Sequence, residues 1–331
     1  MKSKKMLIAA IFMTAAVFVY AQQYTAESDF AVSRTNDGAG VIINGYTGTN
    51  RTVSIPPQIR GLPVTHIGNE AFRQSQITSV TFPDSVTNIG ERAFYESQLA
   101  RVTFGNGLIS IGDNAFAFCQ LTSVTIPDSV TRIGYAAFQG GFYSETGFMQ
   151  RGNRISSLTI GRGVTSIGES AFFGTQLARV IIPDNVTRIG EGAFSNNQLT
   201  SISIGRGVTV IENNVFFGNQ LSSFTIPDHI TTIGNHAFGS NQLTSITIPE
   251  SVTRIGHNAF RNNRLATIII NGEPSLGQGT FFTNPLTRVT IGSNIRFWAE
   301  TMPESFDRFY QSINMRGGTY VMQGNTWNEE W

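Results

Sequence analysis

The sequence predicts a repeat solenoid, and three observations carry that prediction. A phenylalanine closes a recurring motif at Phe72, Phe94, Phe116, Phe138, Phe172, Phe194, Phe216, Phe238, Phe260 and Phe281, in steps of 22 residues interrupted once by 34 and once by 21. Self-similarity at a fixed period of this size marks stacked structural repeats. The motif joins two unlike halves, Leu121-x-x-Val124-x-Ile126-Pro127 and Ile133-Gly134-x-x-Ala137-Phe138. Composition agrees: 40% of residues are hydrophobic and 14% charged, the balance of a packed chain and not of a disordered one.

Each part of the unit has a physical reading. Val124 and Ile126 alternate with polar neighbours, the period of a short strand. Pro127 ends that strand, as do Pro83, Pro183, Pro227 and Pro249, because proline removes a ladder donor. Gly105, Gly161, Gly205 and Gly292 take the same slot elsewhere. Ile133 and Ala137 are four apart, which predicts about one helical turn with both on one face. The segment is too short to stand as a free helix. A lone unit has too few apolar groups to offset the entropy of ordering its backbone, so the units must stack. Two residues before each leading Leu stands Asn153, Asn197, Asn219, Asn241, Asn263 or Asn284, and in other units Ser75, Ser97, Cys119 or Thr175. Small polar side chains there can pair with buried backbone groups, which predicts a structural ladder with Cys119 as a buried member; a reactive thiol is the alternative. Asp84, Asp128, Asp184, Asp228 and Glu250 follow the strand-ending prolines and are expected to cap the connector turn.

These residues resemble the leucine-rich repeat, in its BspA-like or treponemal bacterial form. The match is plainest in Leu243-Thr-Ser-Ile246-Thr-Ile248-Pro249 and Ile255-Gly256-His-Asn-Ala259-Phe260-Arg-Asn-Asn263, and it covers about residues 51 to 292. The resemblance implies a right-handed superhelix capped at both ends, with short parallel β-strands on the concave face and short helical turns or irregular connectors on the convex face. It also implies a surface protein engaged in adhesive binding. Glu212 in place of the motif glycine, Val215 in place of the alanine, and Pro274 in a shortened unit depart from the pattern.

The chain divides accordingly. Residues 1 to 21 read as a signal peptide: Lys2, Lys4 and Lys5 precede an apolar run from Met6 to Tyr20, shorter than a membrane span, and Ala21 offers a small residue at the cleavage point. No second long apolar run follows, so no span is expected after cleavage. Residues 22 to 50 are expected to form an N-terminal cap, 51 to 292 a solenoid of about eleven coils with an insertion at 140 to 153, and 293 to 331 a C-terminal cap or attachment module. The three lysines leave with the signal, so 20 arginines face 22 acidic residues. A net charge near −2 argues against a nucleic-acid partner. A single cysteine excludes an intramolecular disulfide.

A search for chemistry finds a face without catalytic parts. The outward strand positions are nearly all Ser and Thr, with Arg101, Arg179 and Arg288 among them and Ile at 181 and 269. No carboxylate, histidine or cysteine stands on that face, so neither paired-carboxylate hydrolysis nor a Ser-His-Asp relay can be built there. His66, His229, His236 and His257 occupy four different slots of the unit and form no zinc pattern. Gly161-Arg-Gly163 and Gly205-Arg-Gly207 open no long helix and are not phosphate loops. No enzyme, metal or cofactor is expected. The function read from the sequence is binding of a protein, matrix or host ligand by a secreted or cell-surface monomer. The face around Arg101, Arg179 and Arg288 and the insertion aromatics Phe142, Tyr143 and Phe148 would serve it; those aromatics are equally readable as lying back on the solenoid. The alternative is a scaffolding role in the periplasm or envelope.

Overall fold

A computed structural model describes residues 24–141, 152–293, 295, 301–302, 304–312 and 315–330. The signal segment and insertion residues 142 to 151 lie outside that set. The chain winds as a β-solenoid of about eleven turns. We number the coils by the phenylalanine that closes each, coil 1 at Phe72 through coil 10 at Phe281, with a final half-coil carrying Arg288–Ile291. The motif Leu, Val, Ile, Ala and Phe residues are buried in one continuous core. The ten phenylalanines stack face over face, with most neighbouring ring centroids 4.7 to 5.6 Å apart.

Coils hydrogen-bond to one another on three sides. On the first side, strands such as Ser123–Thr125 and Ser157–Thr159 pair in parallel, register kept. On the second, two-residue strands pair in a further parallel ladder, Asn88–Ile89 with Ser110–Ile111 and Arg132–Ile133 with Ser166–Ile167. On the third, alternate amides of the Gly-x-x-Ala-Phe segment reach the next coil: Glu70, Phe72 and Gln74 donate to the carbonyls of Glu91, Ala93 and Tyr95 at 2.7 to 2.9 Å.

That third side corrects the sequence expectation of a helical turn. Ala71, Arg73 and Ser75 donate to Gly68, Glu70 and Phe72, three residues back each time. Glu70 and Gln74 have positive φ (57° and 53°), as do Asn258 and Asn262 in coil 9 (both 56°). A positive φ at the third residue belongs to a type II turn and interrupts an α-helix. The segment is therefore a run of β-turns. It buries Ile133 and Ala137 together, as one helical turn would, while freeing every second amide for the neighbouring coil.

The asparagine column is a fourth set of links. The side-chain carbonyl of Asn241 accepts the Leu221 N–H of the preceding coil at 3.1 Å, and its amide donates to the carbonyls of Phe216, Phe238 and Gly239 at 2.9 to 3.3 Å. Asn197, Asn219, Asn263 and Asn284 repeat the arrangement. Asn153 does the same where the chain returns from the insertion, and a bridge between Gly140 and Asn153 closes its base. Cys119 fills the slot in its own coil: its thiol donates to Phe94 O at 3.0 Å, and burial pushes its pKa up to about 12.

The ladders are not continuous, and their breaks have local causes. Strand pairing on the first side stops after coils 3, 5 and 7, whose strands end at Gly105, Gly161 and Gly205; after coil 7 it resumes only at Ser245–Ile248 in coil 9, coil 8 forming no strand on this side. Each of coils 3, 5 and 7 is drawn onto the proline coil before it. The carboxylates of Asp84, Asp128 and Asp184 accept the N–H of Asn106, Arg162 and Arg206 at 2.7 to 2.9 Å. A Cβ on Gly161 would lie 2.2 Å from the Pro127 oxygen, so only glycine allows the approach. At the following junction no carboxylate takes this role and the strands part, although between coils 5 and 6 the Asn185 side-chain amide donates to the Arg162 carbonyl at 2.7 Å. The three aspartates thus cap a turn, but in the next coil.

The second ladder breaks once, between Arg188–Ile189 and Val210–Ile211. At other junctions the motif glycine donates to the isoleucine carbonyl of the coil before, as Gly190 does to Ile167 and Gly234 to Ile211. Glu212 stands in this slot in coil 7. A Cβ at Gly190 would meet Glu169 N at 2.3 Å, and one at Gly234 would meet Asn213 N at 2.6 Å. Glu212 carries the Cβ the slot cannot hold, so the coils part there. The phenylalanine stack is widest at the same junction, 6.1 Å between Phe194 and Phe216.

The ends differ in which ladder they extend. A hairpin of Phe30–Arg34 and Val41–Tyr46 joins the second ladder through Leu62–Ile67. The C-terminal hairpin, Gly318–Gln323 and Thr326–Glu330, joins the first through Arg288–Ile291. Helix Glu304–Ser312 packs Phe306 and Tyr310 against Tyr320, and Phe306 against Trp327; all four are buried.

Three outcomes follow from these links. Asn241→Ala leaves buried amide and carbonyl groups without partners and should lower unfolding stability by about 3 kcal/mol in urea titration, whereas Thr247→Ala on the open face should change it by less than about 0.5 kcal/mol. Glu212→Gly should restore the missing ladder bonds and slow amide exchange at positions 209 and 212 by about tenfold or more; unaltered exchange would refute the wedge. Cys119 should resist thiol reagents at pH 8 in the folded protein and react fully in denaturant. Because its thiol pKa is raised in the fold, the contribution of this neutral thiol to stability is complete below an unfolded-state pKa of about 8.5 and declines as pH climbs toward 12.

Candidate functional site

Alternate residues of a strand point to opposite sides, so burying Val124 and Ile126 turns Ser123 and Thr125 outward. Repeated coil after coil, this makes a long face of hydroxyls. Ser157, Thr159, Ser201, Ser203, Ser245 and Thr247 are exposed on it. Arg101 and Arg179 project from the same column and are exposed, and neither has an ion-pair partner among the described residues. Arg288 also lies in this column, but the C-terminal hairpin pairs beside it and Glu330 forms an ion pair with its guanidinium. The three arginines do not converge. At about 4.8 Å per strand step, Arg101 and Arg179 are roughly 14 Å apart, and Arg179 and Arg288 roughly 24 Å. Phe142, Tyr143 and Phe148 lie outside the described residues.

A depression on this face sits where coils 5 and 6 part. It encloses about 830 Å³ and is lined by Ser157, Leu158, Thr159, Arg162, Arg179, Ile181 and Asp184, among others. Leu158 is only half-buried there, and Ile181 is 62% exposed, the most open of the large apolar side chains named among the described residues. Ile181 is open because it stands at an outward strand position, and Leu158, in the inward column, loses cover where the strands part. A smaller groove of about 410 Å³ opens at the next split, beside Ile202 and Phe224. Arg162 is the residue that sequence reasoning missed. It had been read only as the middle of a glycine turn, and its signal was the Asp128 to Arg162 pairing across coils.

The second ladder presents a different chemistry. Glu91, Asp113, Glu169, Glu191 and Glu212 line narrow grooves with Arg132, Arg188 and Tyr135. Asp113 is engaged in holding the Tyr135 N–H, and Glu191 in bonding Asn213 and Asn214. His257 accepts the Gln278 N–H through Nδ1, and His236 packs edge-on against Phe217, where burial, with Arg261 and His257 nearby, lowers its pKa. Among the described residues no three His, Cys, Asp or Glu side chains gather in a way that could hold a metal ion. No helix of the described residues is long and apolar enough to cross a membrane.

Comparison with known proteins follows this geometry. No curated protein matches the sequence. A leucine-rich repeat protein from Bacteroides ovatus is similar in structure, 26% identical, with a TM-score of 0.67 over 79% of this chain and 69% of that one. The pneumococcal vaccine antigen PcpA shares the fold at 18% identity and a TM-score of 0.52, covering 80% of this chain and 82% of its own. A leucine-rich cell surface protein of Faecalibacterium prausnitzii is 26% identical over 75% of this chain and 89% of that one, with a TM-score of 0.40. The family model described as the BspA-type leucine-rich repeat region matches six copies, at residues 65–146, 144–267 and 209–308. With its repeat, its stacked coils and this match in agreement, the chain belongs to the BspA-type leucine-rich repeat family.

Proposed function

We propose that this chain is an exported, non-enzymatic binding protein that engages a protein ligand at the cell surface through its strand face. The observation that carries the reading is the face itself: a long exposed column of hydroxyls with two guanidinia, Arg101 and Arg179, that no carboxylate of the described chain neutralises. Arginine offers five donors in a planar fork, and an unpaired one on a rigid sheet is ready to take a carboxylate at little entropic cost. Hydroxyls around it supply adaptable hydrogen bonds. Spread over several coils, such contacts sum to useful affinity, although each is weak. The insertion residues Phe142, Tyr143 and Phe148 are proposed to add aromatic anchors of the kind that dominate interfaces. The signal-like N-terminus supports export.

The test is capture of ligands from host-cell or neighbouring-cell surface extracts by the purified protein and by the variant with Arg101, Arg179 and Arg288 changed to Ala. Loss of the captured partner by about tenfold or more, with an unchanged melting temperature, is the expected result. Undiminished capture rejects this face. Protease treatment of intact cells supplies the second arm: cleavage of the protein is expected, and complete protection would instead favour a scaffold inside the envelope.

A further inference from the structure

We infer that the groove at the parting of coils 5 and 6 receives one extended, acid-bearing segment of a partner protein. The inference rests on the strand-face reading and narrows it to a single place and a single ligand chemistry.

The first argument is the open edge. Ser157–Thr159 and Arg179–Ile182 belong to separate ladders, and no backbone hydrogen bond joins these two strands, although each pairs normally with its other neighbour. Cα atoms of the two strands still come within 8 Å across the parting, too close for a third strand to lie between them, so a ligand lies over the groove and is met by the side chains that line it.

The second argument is the pairing of apolar and basic groups. The aliphatic side chains of Leu158 and Ile181 line the groove together with Arg162 and Arg179. Neither guanidinium has an ion-pair partner among the described residues. The one acid in the lining, Asp184, already accepts the Arg206 N–H. Two unpaired positive groups in one lining with Leu158 and Ile181 fit a carboxylate flanked by a branched aliphatic side chain. Alternation along a strand presents such a pair at i and i+2.

The third argument excludes rivals. Among the described residues no aromatic ring lines the groove, so these residues offer a sugar ring or a base no platform to stack on. The facing strands are three and four residues long, about 10 to 13 Å, room for about three or four residues of an extended ligand. The coils on either side stay joined through the second ladder, Ser166–Ile167 with Arg188–Ile189, and within the lining the Asn185 side-chain amide donates to the Arg162 carbonyl at 2.7 Å.

Terminally blocked, fluorescein-labelled octapeptides that alternate valine and threonine, with two glutamates in place of two threonines, provide the probe, titrated by fluorescence anisotropy against the full mature chain. Matched peptides carry glutamine or lysine instead. Saturable binding of the glutamate peptide is expected, about tenfold or more tighter than the lysine peptide. Arg162→Ala with Arg179→Ala should weaken it by about tenfold, and Ile181→Ser by about threefold, the latter a change at an exposed side chain that leaves the melting temperature in place. Arg101→Ala should have no effect. Equal binding of the glutamate and lysine peptides, absence of saturable binding, or affinity that survives the paired arginine change would each overturn the assignment. Ligand capture by two further variants separates this failure from that of the broader reading. Arg162→Ala with Ile181→Ser alters the groove alone, and Arg101→Ala with Arg288→Ala alters only the rest of the face. Capture lost in the second and kept in the first sinks the groove while sparing the face; the reverse sinks the wider face while sparing the groove.

Discussion

The molecule depends on coil backbones coming close enough to hydrogen-bond to each other on three sides at once. That closeness sets the rules for every slot of the unit. Side chains that point along the solenoid axis have no space, which is why a Cβ at Gly161 or Gly190 would fall about 2.2 to 2.3 Å from a neighbouring backbone atom. Side chains that point inward must be apolar and of matched size, hence stacked phenylalanines in an unbroken file. Backbone groups that no coil can reach must be met by a side chain, hence the asparagine column. Only the outward positions are free of these demands.

Much of this was legible in the sequence, and the parts that were not share a cause. The 22-residue period exposed the stacking, the core columns and the asparagine slot, including the place of Cys119, because each obeys a rule that repeats in every coil. The turn over Ile133 to Phe138 was misread because a run of β-turns and one turn of helix bury the same two residues; what separates them is a positive φ, and residues as different as Glu70, Ala136 and His236 adopt it. The alternation of Pro127 with Gly161 and of Pro183 with Gly205 was visible too. Reading one unit at a time treated proline and glycine as equivalents in a slot, when the difference between them decides which coil leans on which. Arg162 was lost for that reason, since its position has meaning only in relation to Asp128 in the coil before.

Glu212 shows that a departure from the motif can be informative where conformity is not. One carboxylate side chain in a glycine slot removes the backbone bonds of one junction on one side and widens the phenylalanine stack there to 6.1 Å. The strand pairing of Arg179–Ile182 with Ser201–Ile204 on the first side continues across the same junction. The defect is thus absorbed by a single ladder.

That division of labour bears on how a rigid solenoid can have grooves at all. A sheet that pairs without interruption presents a flat face, and flat faces of hydroxyls hold little by themselves. Opening the first ladder at intervals creates relief, yet an opening on every side would sever the array into separate bodies. Here the two ladders part at different junctions: the first after coils 3, 5, 7 and 8, the second between 6 and 7. Each junction therefore keeps at least one strand ladder as well as the turn-side amides. The relief costs a few backbone bonds at a time, about 1 kcal/mol apiece, while the shared core continues beneath it. Since a binding face gains most from groups fixed before the ligand arrives, a depression whose walls are tied together on their far side is better suited to capture than a flexible loop of the same composition.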